Sequence, residues 1–324
     1  MLRLRFRTVD SLASALGTPP KKLQEVAGST EKYVKRKTIL GKRPGKRDRE
    51  VICVAGPLRQ LQFNLHTRIL RPRHRPSVHS HGGIKGRNIK TNAEPHLSSV
   101  FVYCADIANF YPSIHYSRVY DLFANQFECA PDVARILTRL CTFDHHLAIG
   151  LITSPILADC MLDKVDRRVE GMCHKHNLVY TRFVDDLTIS GIYDIKSGAT
   201  QRIVGEILQC HGFSLSESKN EVRRFSDEGT GMTGLRNKGG RLDVQKQYVE
   251  NLQGLLSDCE RLAQGEIPVG EYATKDQIGG KISFVRWINR GHLAVLWRRF
   301  RAIDWRAVDR EAERLGLVSN PSMA

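Results

Sequence analysis

The sequence lacks the features that define several common classes of protein. It contains no uninterrupted apolar stretch of about 18 residues, so we expect no membrane-spanning helix and no membrane partner. Its start, MLRLRFRTVD, has no apolar core of the kind found in signal peptides. The eight cysteines form no C-x-x-C pair, which argues against a zinc ribbon and against a disulfide framework. These absences predict a cytoplasmic protein with reduced thiols.

Acidic side chains are scarce in the N-terminal part of the chain. Residues 1–90 carry 22 basic and 5 acidic side chains, whereas residues 91–324 carry 28 and 29. The formal net charge of +16 is therefore an N-terminal feature. Charge of one sign at this density is typical of proteins that bind nucleic acid or another anionic surface. The apolar fraction of 41% is that of an ordinary folded protein, which excludes wholesale disorder.

Local patterns predict a mixture of helices and strands. Residues 10–28 read as two short helices around a Pro-Pro turn, the first of them capped by Asp10 or Ser11. A loop rich in Lys, Arg, Gly and Pro then leads into the apolar run that ends at Val54, which predicts a β-hairpin with a basic tip. Apolar residues at helical spacing follow in residues 58–70.

The middle of the chain alternates between strands and helices. Residues 98–106 and 177–191 have strand patterns, and residues 117–141 and 156–174 have helical spacing. The last 80 residues look helical and contain all three tryptophans beside several arginines. We expect the arginines of this segment to face outward, where Arg298 and Arg299 could bind an RNA stem, and most of the tryptophans to face inward.

Three carboxylates lie where predicted strands end. Asp106 follows one apolar run, and the pair Asp185 and Asp186 interrupts another. Three acids brought together repel one another unless divalent cations neutralise them, and hard oxygen ligands favour Mg²⁺ over zinc. A simple alternative is that the Asp-Asp pair only makes a hairpin turn.

The residues around these acids resemble the conserved blocks of reverse transcriptases. The sequence FVDD at 183–186 is similar to the Y/F-x-D-D motif of that family, and DIANFYPSI at 106–114 is similar to its D-I-x-x-F-F-x-S-I element. Gly150 with Thr153-Ser154-Pro155 resembles the next block, and SLSESKNEVRRF resembles the block that carries a lysine. Four blocks in the family's order cover about residues 30–290. The resemblance implies an α+β, right-hand polymerase fold with fingers, palm and a helical C-terminal thumb.

Two further elements are similar to the retron branch of that family, whose members make RNA-linked single-stranded DNA. HGGIKGRNIKTNAEPH at 81–96 resembles the retron element that ends in N-A-x-x-H, and Met232-Thr233-Gly234 resembles its V-T-G element. The sequence departs from the family at Ala148-Ile149-Gly150, where P-Q-G is usual, and at Phe183, where tyrosine is usual. The first departure puts nucleotide contacts by that loop in doubt.

The resemblance implies roles for individual residues. It makes Asp106, Asp185 and Asp186 the ligands of two Mg²⁺ ions, or of Mn²⁺ in their place. Tyr111 matches the aromatic residue that excludes a 2′-hydroxyl, although core packing is an alternative. Arg49 and Lys219 match contacts to the triphosphate of deoxynucleoside triphosphates, with a solvated charge as the alternative. Asn92 and His96 match positions that contact the partner RNA, with a structural role as the alternative.

The same resemblance implies a domain layout and a function. We expect an N-terminal cap and fingers in residues 1–98, a palm in 99–234 with a fingers segment at about 113–150, and a thumb in 235–324. A retron-type enzyme would copy a cognate structured noncoding RNA into DNA and act with an effector protein in anti-phage defence. The alternatives are another single-domain bacterial reverse transcriptase, of the abortive-infection type, and a non-catalytic RNA-binding scaffold.

Overall fold

The computed structural model describes residues 3–41, 48–193, 195, 198–217, 220–224, 231–270, 272–291 and 293–317. The chain divides into two compact units, one of Met1–Asn88 with Tyr103–Val222 and the other of Ile89–Val102 with Arg223–Ala324. Among the described residues, no helix combines the length and the apolar character needed to cross a bilayer. The boundaries of fingers, palm and thumb stay a prediction, because compactness alone does not assign those names.

The first unit begins with the two predicted short helices, α1 (Val9–Leu16) and α2 (Pro20–Gly28). The expected cap is wrong by two or three residues. Thr8 is the N-cap, because its backbone is extended and its side-chain oxygen accepts a hydrogen bond from the Ser11 amide. Gly17 ends α1 in the left-handed conformation that glycine adopts without steric cost.

The basic segment forms the expected hairpin. Strands β1 (Val34–Ile39) and β2 (Arg49–Val54) pair antiparallel, with Val34 opposite Val54. Most side chains of β1 are exposed, including Lys35 and Lys37, so the charge of this hairpin faces solvent. The predicted basic tip falls on residues 42–47, which lie outside the described residues.

Helices follow the hairpin in the first unit. Helix α3 (Gly56–Asn64) continues through a π-helical segment (Leu65–Leu70) into the short α4 (Arg71–Arg73). The single helix expected over residues 117–141 is instead interrupted: α7 (Tyr116–Asp121) and a π-helical segment (Leu122–Gln126) precede α8 (Pro131–Cys141). Pro131 starts α8 because proline lacks an amide hydrogen and suits the first helical turn.

Four further strands are β3 (Phe101–Asp106), β4 (Val179–Phe183), β5 (Asp186–Gly191) and β6 (Glu221–Arg224). They form one sheet in the order β4-β5-β3-β6. The chain passes from one unit to the other after Asn88, within β3 and within β6. The short α6 (Phe110–Ser113) follows β3, the long α9 (Ser154–Lys175) precedes β4, and α10 (Ala199–Cys210) follows β5. The hydrophobic core of the first unit joins residues of this sheet, such as Tyr103 and Ile189, to Leu157 of α9 and to the N-terminal helices.

The second unit contains a three-stranded sheet and helices. The sheet has the order β7-β8-β9, with β7 (Gly231–Met232), β8 (Leu235–Lys238) and β9 (Arg241–Val244). Its helices are α5 (Ile89–Ala93), α11 (Lys246–Ala263), α12 (Lys275–Ile288), α13 (Leu293–Ala302) and α14 (Trp305–Arg314).

The expectation that most tryptophans of this segment face inward is confirmed only in part. Trp287 is 45% exposed, and Trp297 and Trp305 are half-buried. Aliphatic residues instead occupy the buried faces of these helices, among them Leu256, Ile282 and Val308.

Candidate active site

The three acids predicted to act together do converge. Asp106 is the last residue of β3, and a two-residue turn of Val184 and Asp185 joins β4 to β5, with Phe183 opposite Asp186. Because β5 and β3 are neighbours in the sheet, the turn and the end of β3 meet at one edge. One ligand oxygen from each of Asp106, Asp185 and Asp186 lies within 4.8 Å of the others. The pair Asp185 and Asp186 does form a hairpin turn, as the alternative proposed. That alternative is incomplete, because the turn also brings the pair close to Asp106.

Backbone hydrogen bonds link this edge to its neighbours. The amide of Ile107 donates to the carbonyl of Asp185 at 3.2 Å, and the amide of Ser216 donates to the carbonyl of Asp106 at 2.7 Å. The amide of Ala108 donates to Ser214 at 2.8 Å. The acids therefore project from backbone that is paired on more than one side, which suits a site that must keep its geometry.

The donor set fits a hard divalent cation. Three carboxylates supply only oxygen ligands, which Mg²⁺ and Mn²⁺ prefer, and all three residues are partly exposed. Partial exposure leaves room for waters or phosphate oxygens, which Mg²⁺ usually retains among its ligands. Over the part of the chain that the structure describes, no other group of three His, Cys, Asp or Glu side chains converges in this way.

Tyr111 lies beside this site. It belongs to α6, which starts directly after Asn109 in a left-handed backbone conformation (φ 47°). Burial and the negative charge of Asp185 raise the pKa of the Tyr111 phenol to about 12, so the side chain stays neutral at any physiological pH. Its ring also packs 5.3 Å from that of Phe110, centroid to centroid. Tyr111 therefore packs against the core and also lies next to the acidic site.

For Arg49 and Lys219, the other predicted nucleotide contacts, the structure does not test the predicted role. Arg49 is exposed at the start of β2, opposite Ile39. Lys219 lies outside the described residues. Both stay predictions.

The loop that departs from the family pattern packs against the hairpin strand β2. The carbonyl of Ile149 accepts a hydrogen bond from the Ile52 amide at 2.8 Å, while its side chain is 37% exposed. Gly150 has φ 100°, and a Cβ atom there would lie 2.3 Å from the Ile52 carbonyl oxygen. The glycine of this block is therefore required by close backbone approach.

The predicted RNA contacts have diverse surroundings in the second unit. Asn92 and His96 are completely buried, which favours the structural alternative for both, and direct contact with RNA stays a prediction. Arg298 is exposed. Arg299 instead makes a two-point ion pair with Glu260, at 2.9 and 2.7 Å, and also donates to Ser257.

Sequence reasoning missed a buried ionic cluster directly behind the acidic turn. Arg182 of β4 is 1% exposed and bonds to Asp159 and Asp166 of α9, which are also buried. Two signals could have found it. The first is Arg182, which interrupts the apolar alternation of the strand sequence YTRF. The second is the spacing of Asp159 and Asp166, which are seven residues apart in a segment with helical spacing and therefore lie on the same helix face.

Comparison with known proteins identifies relatives. No protein-family model matches the chain. The retron Se72 reverse transcriptase of Salmonella heidelberg (strain 579083-10) is 28% identical over 272 residues, which cover 82% of this chain and 71% of that protein. The retron Mx65 reverse transcriptase of Myxococcus xanthus is 26% identical over 69% of this chain and 54% of that protein. The retron Ec86 reverse transcriptase of Escherichia coli is 29% identical over 56% of each.

Among solved structures, a foamy viral protease-reverse transcriptase in complex with double-stranded DNA covers 93% of this chain and 48% of that one, with 13% identity and a TM-score of 0.46. The sequence matches show that the chain is similar to reverse transcriptases. Within that class the chain is related to the retron type, which confirms the resemblance predicted from its motifs.

Proposed function

We propose that this protein is an RNA-directed DNA polymerase of retron type that works with two Mg²⁺ ions at Asp106, Asp185 and Asp186. The observation that carries the proposal is the convergence of these carboxylates within 4.8 Å at the edge of a paired sheet. When bound, a pair of divalent ions supplies activation of an attacking hydroxyl and stabilisation of a leaving pyrophosphate. Sequence similarity to retron reverse transcriptases supports the same function.

The chain's own residues would orient the substrates. Tyr111 presents a neutral phenol ring next to Asp185, where it would exclude a 2′-hydroxyl and so select deoxynucleotides. Arg49 and Lys219 would bind the triphosphate through their positive charges.

The RNA would bind mainly through charge. The N-terminal 90 residues carry 22 basic side chains, and Lys35 and Lys37 of the hairpin are exposed. A cognate structured noncoding RNA is the partner that retron chemistry requires, and its DNA copy is the product. In the second unit, Arg298 is an exposed candidate for RNA contact, and Asn92 and His96, which are buried, would contribute by stabilising the fold of residues 89–96. An effector protein of a defence system is a further proposed partner.

The central test is Asp185→Asn in the full chain purified with its nucleic acid. Loss of one metal ligand should reduce metal-dependent DNA synthesis by about 100-fold or more, because a catalytic cation contributes several kcal/mol. Asp163→Asn is the matched control: Asp163 is an acid that pairs with Arg167 on α9, and its loss should leave synthesis unchanged. Undiminished synthesis by Asp185→Asn would refute the proposed enzyme and favour a non-catalytic scaffold.

Sequencing the nucleic acid that co-purifies with the protein tests the retron assignment. A single structured RNA joined to a DNA copy of part of itself is the expected result. DNA of no defined template would instead point to the abortive-infection type.

A further inference from the structure

The turn that carries Asp185 is strained at the residue before it. Val184 has φ 61°, in the left-handed region that β-branched side chains rarely adopt. In a two-residue hairpin turn, a positive φ at the first position alone is the type II′ pattern, which normally places glycine there. A valine in this position needs support from its surroundings, because strained backbone persists only where other contacts enforce it.

Arg182 supplies one such support. Its Nη1 donates to the carbonyl oxygen of Val184 at 2.7 Å. The rest of the guanidinium is bound to α9, since Nε and Nη2 donate to the two oxygens of Asp166 at 2.8 and 2.7 Å, and Nη2 also donates to Asp159 at 2.9 Å. The planar guanidinium therefore links the carbonyl of the strained residue Val184 to helix α9 in a fixed geometry.

The two acids are themselves tightly bonded. Asp166 accepts a hydrogen bond from the Tyr180 hydroxyl at 2.8 Å. Asp159 accepts one from the Ser80 hydroxyl at 2.6 Å, and Nε2 of His74 lies 2.9 Å from its other oxygen. Burial alone would raise the pKa of Asp159, but the hydrogen bonds from His74 and Ser80 and the charge of Arg182 lower it to about 2. The acid therefore stays charged and available to Arg182 near neutral pH.

A second support reaches the turn from residues 79–82. Arg182 donates its amide to the carbonyl of His79, and the His81 amide donates to the carbonyl of Arg182, both at 2.7 Å. This pairing brings Gly82 against the turn, so closely that a Cβ atom there would lie 2.5 Å from the backbone nitrogen of Val184. On a further side, the carbonyl of Asp185 accepts from the Ile107 amide, next to Asp106.

We propose that Arg182 is a positioning residue for the metal site: it binds the Val184 carbonyl, stabilises the strained turn and so sets the position of Asp185 relative to Asp106 and Asp186. The inference rests on the proposed function, because it assumes that these acids bind the metal. A purely structural role is the competing explanation, since breaking a buried ion pair destabilises a fold wherever the pair lies.

The test compares Arg182→Lys with Arg236→Lys in the full chain purified with its nucleic acid. Lysine keeps the charge but cannot bind Asp166 and Val184 together. Arg236 also makes a buried ion pair, with Asp243 at 2.8 Å, so the control makes the same substitution in a buried ion pair of the other unit. DNA synthesis is measured against Mg²⁺ concentration, together with RNA affinity and thermal unfolding.

For Arg182→Lys we expect synthesis to fall about 10- to 100-fold, as for residues that orient metal ligands, with a higher Mg²⁺ concentration at half-maximal rate and unchanged RNA affinity. Arg236→Lys should lower thermal stability but keep the wild-type Mg²⁺ dependence. Adding Val184→Gly to Arg182→Lys should bring the Mg²⁺ concentration at half-maximal rate part of the way back to the wild-type value, because glycine adopts positive φ without strain.

Three results would overturn the inference: wild-type Mg²⁺ dependence in Arg182→Lys, an equal shift in both lysine variants, or no recovery with Val184→Gly. If Arg182→Lys does not fold, Gly82→Ala displaces the same turn without touching an ion pair, and it should raise the half-maximal Mg²⁺ concentration likewise. Absence of metal-dependent synthesis in the wild-type protein would instead refute the proposed function itself.

Discussion

Replacing Gly82 by alanine should disturb the acidic turn by direct collision. The new Cβ would lie 2.4 Å from Cγ2 of Val184, 2.5 Å from its backbone nitrogen and 3.0 Å from the carbonyl carbon of Phe183, where ordinary contacts are 3.4–4 Å. Rotation of the Val184 side chain could relieve the first overlap, but the other two involve backbone. The segment around Gly82 and the turn must therefore separate by about 1 Å to reach ordinary contact distance.

The cost follows from the contacts that such a separation breaks. The two backbone hydrogen bonds of Arg182 with His79 and His81, each 2.7 Å, would lengthen beyond hydrogen-bonding distance. Overpacking of this kind lowers the free energy of unfolding by about 1–3 kcal/mol. Alanine also restricts the unfolded chain more than glycine does, which offsets about 0.4–1 kcal/mol of that loss. We expect the free energy of unfolding to fall by about 1–2 kcal/mol and DNA synthesis to fall about 10- to 100-fold, because the displaced turn carries Asp185.

The neighbouring Gly83 provides the matched control for Gly82→Ala. It has φ 71°, and beyond its chain neighbours no atom lies within 4 Å of the position that a Cβ would occupy. Alanine there should cost about 1 kcal/mol of backbone strain without touching the turn. Urea unfolding and primer-extension rates are measured for both variants. Similar stability with a loss of synthesis only in Gly82→Ala supports the reasoning. Wild-type synthesis by Gly82→Ala, or an equal loss in Gly83→Ala, would refute it.

Three further predictions concern other properties of the molecule. Tyr111→Ala should increase ribonucleotide incorporation while Tyr111→Phe, which keeps the ring, should not; unchanged sugar discrimination in Tyr111→Ala would remove its role as a steric gate. RNA affinity should fall steeply between low and moderate salt, because the basic N-terminal region displaces counterions, and a flat binding constant in a filter-binding titration would contradict this. The pKa of Asp159 is lowered in the folded state to about 2, so its stabilising contribution is present above about pH 4, is lost as the pH falls towards 2, and amounts to about 2 kcal/mol. Asp159→Asn should therefore flatten the decline of the unfolding free energy between pH 4 and 2, as measured by urea titration, and an unchanged slope would argue against the low pKa.

The local chemistry of the site was readable in the sequence. Acids at the ends of strands are held rigidly enough to bind a metal ion, and the FVDD turn together with Asp106 shows this pattern in the sequence alone. Hairpins and short amphipathic helices were predictable for a similar reason, since their patterns depend on residues close in the chain. The cap at Thr8 and the break before Pro131 show that the ends of helices depend on backbone geometry, which is hard to predict from residue types alone.

Residue roles that depend on distant partners were not readable in this way. Arg298 and Arg299 are adjacent and identical, yet one is exposed and the other is paired with Glu260, because α11 supplies a partner to only one of them. Asn92 and His96 matched an RNA-binding element, but burial makes a structural role the simpler one.

The sequence by itself determined which three acids are candidate metal ligands, the resemblance to reverse transcriptases and the concentration of positive charge, because each depends on residue type and order. The tertiary structure alone decided how the acidic turn is supported, because that support joins Gly82, Asp159, Asp166 and Arg182 from separate elements around one strained valine. A buried charge is stable only where such partners surround it, and they become neighbours only when the chain has folded.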